Sequence, residues 1–317
     1  RCPGRHAILR SSMTAPLVIW LVGDGKPGHE NQSLGLAEAI GRRVPISLHR
    51  IELAGQPTVL RRVKRSLDVA PSLPLPDLIL GAGHATHLPL IGLARRTGAP
   101  CVVLMRPSLP TGLFDLCLVP DHDLTAKTKA ENVIATLGAL NRVHPSSDRA
   151  RHGRIILLGG PSSTHGWDTP AILGALGEIT HAQSGWILTD SRRTPEGVRE
   201  AVRESFPSIK VFPHEETTKG WLPEQLASAR EVWVSEDSIS MIYEALSSGA
   251  KVGLLPVPRL KARGRVSRGV DQLVSDGYLT PWSTWQVCRE LSTTAPVLRE
   301  ADRCAGLILG RWFPQAE

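Results

Sequence analysis

The stretch "WLVGDGKPGHENQSLGLAEAI", Trp20 to Ile40, decides the fold: an apolar run of strand length, a turn of glycines with one proline, then apolar residues at helical spacing. This is the strand, turn and helix that opens a parallel sheet. The rhythm continues with "DLILGAG" (77–83) and "LPLIGLARRTG" (88–98), then "CVVLM" (101–105) and "FDLCLVP" (114–120). These runs are hydrophobic throughout rather than alternating, as in strands covered on both faces. The polar stretch "NRVHPSSDRARHG" (141–153) interrupts the pattern. It restarts with "RIILLGG", "GWILTDSRRTPEGVREAV", "IKVFP", "EVWVSEDSISMIYEALSSG" and "KVGLLPVP".

A chain of 317 residues is long enough to bury two cores. The expected organisation is two Rossmann-like α/β domains, residues 17–145 and 146–296, with an extension over 1–16 and a terminal helix within 297–317. Met13 is a candidate start, which would leave "RCPGRHAILRSS" outside the fold. Ligands of such sheets bind beyond the carboxyl ends of the strands, so the post-strand loops should carry the chemistry, with the space between the lobes the expected cleft.

Lys and Arg number 37 against 30 Asp and Glu, a formal charge of +7 that favours small anionic substrates or anionic membranes. Nucleic acid is set aside, because there is no zinc spacing and only four Phe and two Tyr are available to stack on bases. Cys2, Cys101, Cys117, Cys288 and Cys304 stand singly, which fits a reducing, cytoplasmic setting. Arg5 and Arg10 precede the apolar run Pro16 to Val22, but no small-residue cleavage site follows and the run is too short to cross a bilayer. It reads as a first buried strand.

The opening turn matches GxGxxG through Gly23, Gly25 and Gly28, and Glu52 lies near the end of the next strand, where a ribose-binding acid would stand. Pro27 and the bulky His29 count against a dinucleotide. Helix-start amides beside an imidazole suit an anion, or removal of a proton from a hydroxyl. His29 is therefore the candidate general base and Asp24 the other; the alternative is that His29 and Asn31 cap the helix. Gly28, Asn31 and Gln32 belong to the same acceptor-side wall. Gly83 and His84 join it from "GAGHATHLP", and Arg106, His122 and Asp123 complete a row of polar groups at strand ends. His84 and His87 lack a third ligand, so no metal is expected.

In the second half, the amides of Gly159 to Ser163, Gly160 and Ser162 among them, are placed to cradle a phosphate. Ser191, Arg192 and Arg193 follow another strand, ahead of Thr194 as an N-cap and Pro195 in a first helical turn. Arginines there either pair with phosphate or carboxylate or are solvated. In "VSEDSISMIYEALSSGAKV" (234–252), Ser238 and Ser240 suit a diphosphate and Glu244, one turn on, suits a ribose diol. A capping arrangement would explain the serines but not the whole pattern.

The segments "DGKPGHENQSLGLAEAI", "GAGHATHLPL", "FDLCLVPDHD", "NVIATLGALNRV", "LTDSRRTP" and "VSEDSISMIYEALSSGAKV" resemble the mitochondrial-fission Elm family, named for a plant elongated-mitochondria protein but widespread in bacteria. That family is similar in turn to GT-B glycosyltransferases, such as the enzyme that adds N-acetylglucosamine in lipid II synthesis, and to the UDP-GlcNAc 2-epimerases. The resemblance implies a GT-B-like fold of two Rossmann-like parallel-sheet domains. It also implies Gly28 and His29 in the glycine loop of the first lobe, Ser238 and Ser240 near a diphosphate, and Glu244 on the ribose. The first loop departs from the pattern, with "GDGKPGHENQ" in place of a Gly-Gly-His triplet.

The leading expectation is glycosyl transfer from a nucleotide-sugar, without cofactor or metal, to a glycolipid or polysaccharide of the cell envelope. Arg192 or Arg193, Lys261 and loop amides would stabilise the departing diphosphate. A non-catalytic fission adaptor and a nucleotide-sugar epimerase are the competing expectations. "TVLRRVKRSL" (58–67) places Arg61, Arg62, Lys64 and Arg65 on a short helix beside leucines and valines, either as a peripheral surface on the inner face of a membrane or as a solvated face. "PRLKARGRVSRG" (258–269) is a second basic segment, set after a strand.

Overall fold

A computed structural model describes residues 15–124, 130–145, 151–218, 220–261 and 264–316, the side chains of 182 and 265 excepted. Most of the expected extension, Met13 included, and parts of the segments 141–153 and 258–269 therefore lie outside the described residues. The chain divides into two compact units, residues 1–142 with 299–317, and residues 143–298.

The first unit holds a parallel sheet of β1 (Leu17–Gly23), β2 (Ile46–Glu52), β3 (Leu78–Ala82), β4 (Cys101–Leu104), β5 (Leu116–Pro120) and β6 (Val133–Thr136). Their order is β2-β1-β3-β4-β5-β6. Helices α1 (Pro27–Gly41), α2 (Val59–Val69) and α3 (His87–Thr97) cross between strands. The unbroken hydrophobicity of the strands now has a cause. Leu17, Ile19 and Leu21 of β1 enter the core under α1, while Val18, Trp20 and Val22 enter the opposite core under α3, and β3, β4 and β5 divide in the same way. A residue on either face of these strands meets apolar neighbours, so alternation has nothing to encode.

Midway along α1, the chain from β6 passes so close that a Cβ on Gly35 would stand 2.2 Å from the Asn141 carbonyl oxygen. Only glycine permits that approach. The terminal helix α10 (Glu300–Trp312) packs on α1, placing Cys304, Ala305, Ile308 and Leu309 in the first unit's core. Its start is fixed by polar contacts as well: Leu137 N–H donates to Glu300 Oε2 at 3.0 Å, and Arg42 pairs with Asp302 at 2.6 Å.

The second unit holds β7 (Gly153–Leu157), β8 (Trp186–Thr189), β9 (Lys210–Phe212), β10 (Ala229–Ser235) and β11 (Lys251–Leu255), parallel in the order β11-β10-β7-β8-β9. Between and after them run α4 (Thr169–Ala182), α5 (Val198–Ser205), α6 (Trp221–Ala227), α7 (Ile239–Ser247), α8 (Arg265–Ser275) and α9 (Trp282–Cys288). Trp233 of β10 meets Trp282 and Trp285 edge-on, with centroids 5.5 and 5.2 Å away, and anchors α9 to the sheet.

One local expectation fails. Thr194 does not cap a helix; α5 begins at Val198 with Gly197 as its N-cap at φ +81°. The Thr194 hydroxyl instead donates to the Gly159 carbonyl at 2.5 Å, tying the loop after β8 to the loop after β7. Leu309, fully buried against α1, gives a test of the terminal helix. Leu309→Ala should destabilise the first unit by about 2–5 kcal/mol and leave the second unit's transition in place, as followed by calorimetric unfolding.

Candidate functional site

The sheet order places the chemistry. In the first unit the order reverses at β1, flanked by β2 and β3, and in the second at β7, flanked by β8 and β10. At such a reversal successive connections leave the sheet in opposite directions and open a crevice at the strand ends.

At the first reversal, the turn after β1 meets the turn after β3. Helix α1 starts at Pro27, so Gly28 and His29 occupy its first turn rather than a preceding loop. Lys26 is the N-cap, without a cap bond from its own side chain, and its N–H donates to Asp24 Oδ1 at 3.2 Å. His29 Nδ1 lies 2.9 Å from Asp24 Oδ2 and 3.1 Å from Oδ1, with the Asp24 side chain only 4% exposed. A carboxylate only accepts, so Nδ1 carries a proton, and in the neutral ring Nε2 keeps its lone pair. The ring lies on Gly83, where a Cβ would come within 2.3 Å of its Cε1 and Nδ1, and Gly83 adopts φ +87°. Asp24, His29 and Gly83 thus form one contiguous group, with Asp24 the orienting partner behind the imidazole.

The other residues of this wall stand as follows. Gly28 is exposed and a Cβ there would meet nothing within 4 Å, so it lacks the close helix-to-strand packing that the last glycine of a dinucleotide fingerprint provides. Gln32 is buried and donates to the Gly28 carbonyl at 3.4 Å; Asn31 is half-buried. Glu52 does end β2 beside Gly23, whose added Cβ would lie 3.3 Å from its Oε2. Exposed His84 stands edge-on to buried His87, whose Nδ1 is 3.1 Å from Ser108 Oγ. Arg106 is exposed and follows Met105, which is held at φ +71°. His122 lies beside Asp121, Nδ1 to Oδ1 3.6 Å.

In the second unit the expected phosphate cradle is already occupied. Gly159 N–H donates to Ser235 Oγ at 2.7 Å, Gly160 N–H to Asp237 Oδ2 at 2.8 Å and Ser162 N–H to the His165 carbonyl at 2.8 Å. The Ser191 hydroxyl donates to the Gly159 carbonyl at 3.0 Å. Arg193 and Arg192 are both exposed, Arg193 pairing with Asp237 at 2.8 Å and donating to the Gly160 carbonyl. In α7, Ser238 is a buried N-cap without a side-chain cap bond, Ser240 is exposed and Glu244 half-buried. Lys261 is exposed, its carbonyl accepting from Ser267 Oγ at 3.0 Å.

Sequence reasoning passed over the role of Asp237 and a second group. Asp190, His214 and Glu215 bring one ligand atom each within 4.8 Å of one another, a set able to hold a metal ion. In this structure they are joined by Arg199, 2.9 Å from Asp190 and 2.5 Å from Glu215, with His214 Nδ1 3.1 Å from Asp190. The signal was the parallel pairing of Thr189 with Phe212, which aligns the residues that follow β8 and β9.

The family described as mitochondrial fission ELM1 matches residues 27–312. The chain belongs to the mitochondrial fission ELM1 family. An uncharacterized protein of Rickettsia prowazekii is 26% identical over 300 residues, 77% of this chain and 84% of its own. A Listeria monocytogenes structure assigned as a UDP-N-acetylglucosamine 2-epimerase superposes with a TM-score of 0.59 at 13% identity, covering 93% of this chain and 95% of its own. The glycosyltransferase SnogD of Streptomyces nogalater gives 0.51 at 13%, covering 95% and 96%. This ELM1-family chain therefore has the GT-B-like fold of two Rossmann-like parallel-sheet domains, shared with glycosyltransferases and epimerases.

His87 offers a pH test of the first unit. Burial, aided by His84, lowers its pKa from 6.5 to about 4. Between those values the unfolded chain binds the proton and the folded chain does not, so stability rises with pH across that window. Thermal unfolding from pH 4 to 7 should show that slope, and His87→Phe should flatten it.

Proposed function

We propose that this chain transfers a glycosyl group from a nucleotide-sugar to an acceptor hydroxyl, and the observation that carries the reading is the Asp24–His29 pair set on Gly83 at the sheet reversal. With Nδ1–H donated to Asp24, His29 Nε2 is free to take the hydroxyl proton. The acceptor oxygen then bonds to the anomeric carbon as the bond to the diphosphate breaks, with inversion. The charge on the leaving nucleoside diphosphate is met by the uncapped start of α7, the Ser240 hydroxyl and Arg192, with Glu244 on the ribose. No resident cofactor or metal enters this scheme.

Calorimetry with UDP, GDP and CMP sugars tests the nucleotide part: one of them should bind, and Glu244→Ala should weaken it about tenfold. In a transfer assay His29→Ala should lose about 10²–10⁴ in rate with nucleotide affinity retained. Absence of any nucleotide binding would favour a fission adaptor, the reading the family's name suggests. An isomerised nucleotide-sugar formed without acceptor would favour an epimerase.

The acceptor is proposed to be a glycolipid at an anionic membrane surface. No helix among the described residues is long and apolar enough to cross a membrane. The outer face of α2 presents Leu60 at 83% and Val59 at 48% exposure, with Arg61, Lys64 and Arg65 also exposed. Such a face seats its apolar residues at the headgroup level while its cations meet lipid phosphates. Flotation with phosphatidylglycerol vesicles should show salt-sensitive binding that Leu60→Glu with Lys64→Glu abolishes; salt-insensitive or absent binding removes the membrane claim.

A further inference from the structure

Asp237 has no part in the scheme above, yet it occupies the centre of the second unit's reversal. It lies between β10 and α7, and its side chain is 0% exposed. One oxygen, Oδ2, takes two strong donors, Gly160 N–H at 2.8 Å and the Arg193 guanidinium at 2.8 Å. The other, Oδ1, is buried and has no hydrogen-bond partner among the described residues. Glycine is required for this approach, since a Cβ on Gly159 would stand 2.1 Å from Oδ2 and one on Gly160 1.9 Å from the Arg193 carbonyl.

A glycine-turn amide and a guanidinium converging on one oxygen form the donor set that proteins use for phosphoryl groups. Here the guest is the chain's own carboxylate, and it fits only in part. A buried, charged oxygen without a donor is costly, and that cost is relieved when the carboxylate turns out to water. Next to it, the start of α7 carries no side-chain cap.

We propose that Asp237 is a resident anion that keeps the second unit's phosphate site closed, and that a ligand diphosphate exchanges with it, taking over Gly160 N–H and Arg193. The identity of the ligand as a nucleotide rests on the nucleotide-sugar reading; the exchange itself requires only a diphosphate. Uridine, which has no phosphate, does not open the site. The exchange also accounts for a glycine turn with the composition of a phosphate cradle whose Gly159, Gly160 and Ser162 amides are engaged within the chain.

The test measures inorganic pyrophosphate, UDP and uridine binding to the full chain and to Asp237→Asn, together with a crystal structure of the wild-type UDP or pyrophosphate complex. The asparagine keeps the shape and removes the competing charge. Both diphosphates should bind about tenfold tighter to the variant, uridine should not respond, and the Gly160–Asp237 hydrogen bond should be replaced by one to phosphate in the complex. A folded variant that binds pyrophosphate no tighter overturns the proposal, as does a bound diphosphate with that hydrogen bond intact. If the variant fails to fold, the wild-type complex alone decides. Tighter pyrophosphate binding with no UDP binding supports the exchange and removes uridine as the base; if GDP and CMP sugars also fail to bind in the calorimetry above, the nucleotide reading falls while the exchange stands. Failure of both diphosphates to bind either protein overturns the exchange.

Discussion

Each sheet has its first strand in the interior, and the structure depends on that constraint. A crossover between parallel strands is right-handed, so a chain that adds strands first on one side of β1 and then on the other must send its helices to opposite faces. The consequence in the first unit is two cores, one under α1 and α10 and one under α2 and α3, with every central strand feeding both. The same reversal leaves the turn after β1 facing the turn after β3, and the turn after β7 facing that after β10. In both places glycine is what lets the two turns touch: Gly83 under the His29 ring, Gly159 and Gly160 against Asp237.

The two reversals carry opposite chemistry. The first sets a carboxylate behind an imidazole so that one ring nitrogen is held by it. The second gathers donors around a buried anion.

The strands and the α/β class were legible because "LVIWLV", "DLILGAG" and their counterparts carry unbroken hydrophobicity, which has few structural explanations. The edge strand β6 did not stand out, since Val133 to Ala135 are short of full burial and sit beside polar residues. His29 and Asp24 were visible as post-strand polar residues, but only coordinates could show which orients the other. The engagement of the second unit's loop by Ser235 and Asp237 was not legible for a physical reason: composition reveals how many donors a turn has and says nothing about what already holds them. Thr194 was misplaced likewise, because a threonine before proline caps a helix only when no nearer carbonyl claims its hydroxyl.

The position of α10 has a temporal consequence. Cys304, Ala305, Ile308 and Leu309 complete the core beneath α1, yet they are synthesised after the whole of residues 143–298. During translation the first sheet must wait with an apolar face of α1 uncovered while the second unit emerges and folds. The first unit's core is therefore completed only after residues 143–298 have been made.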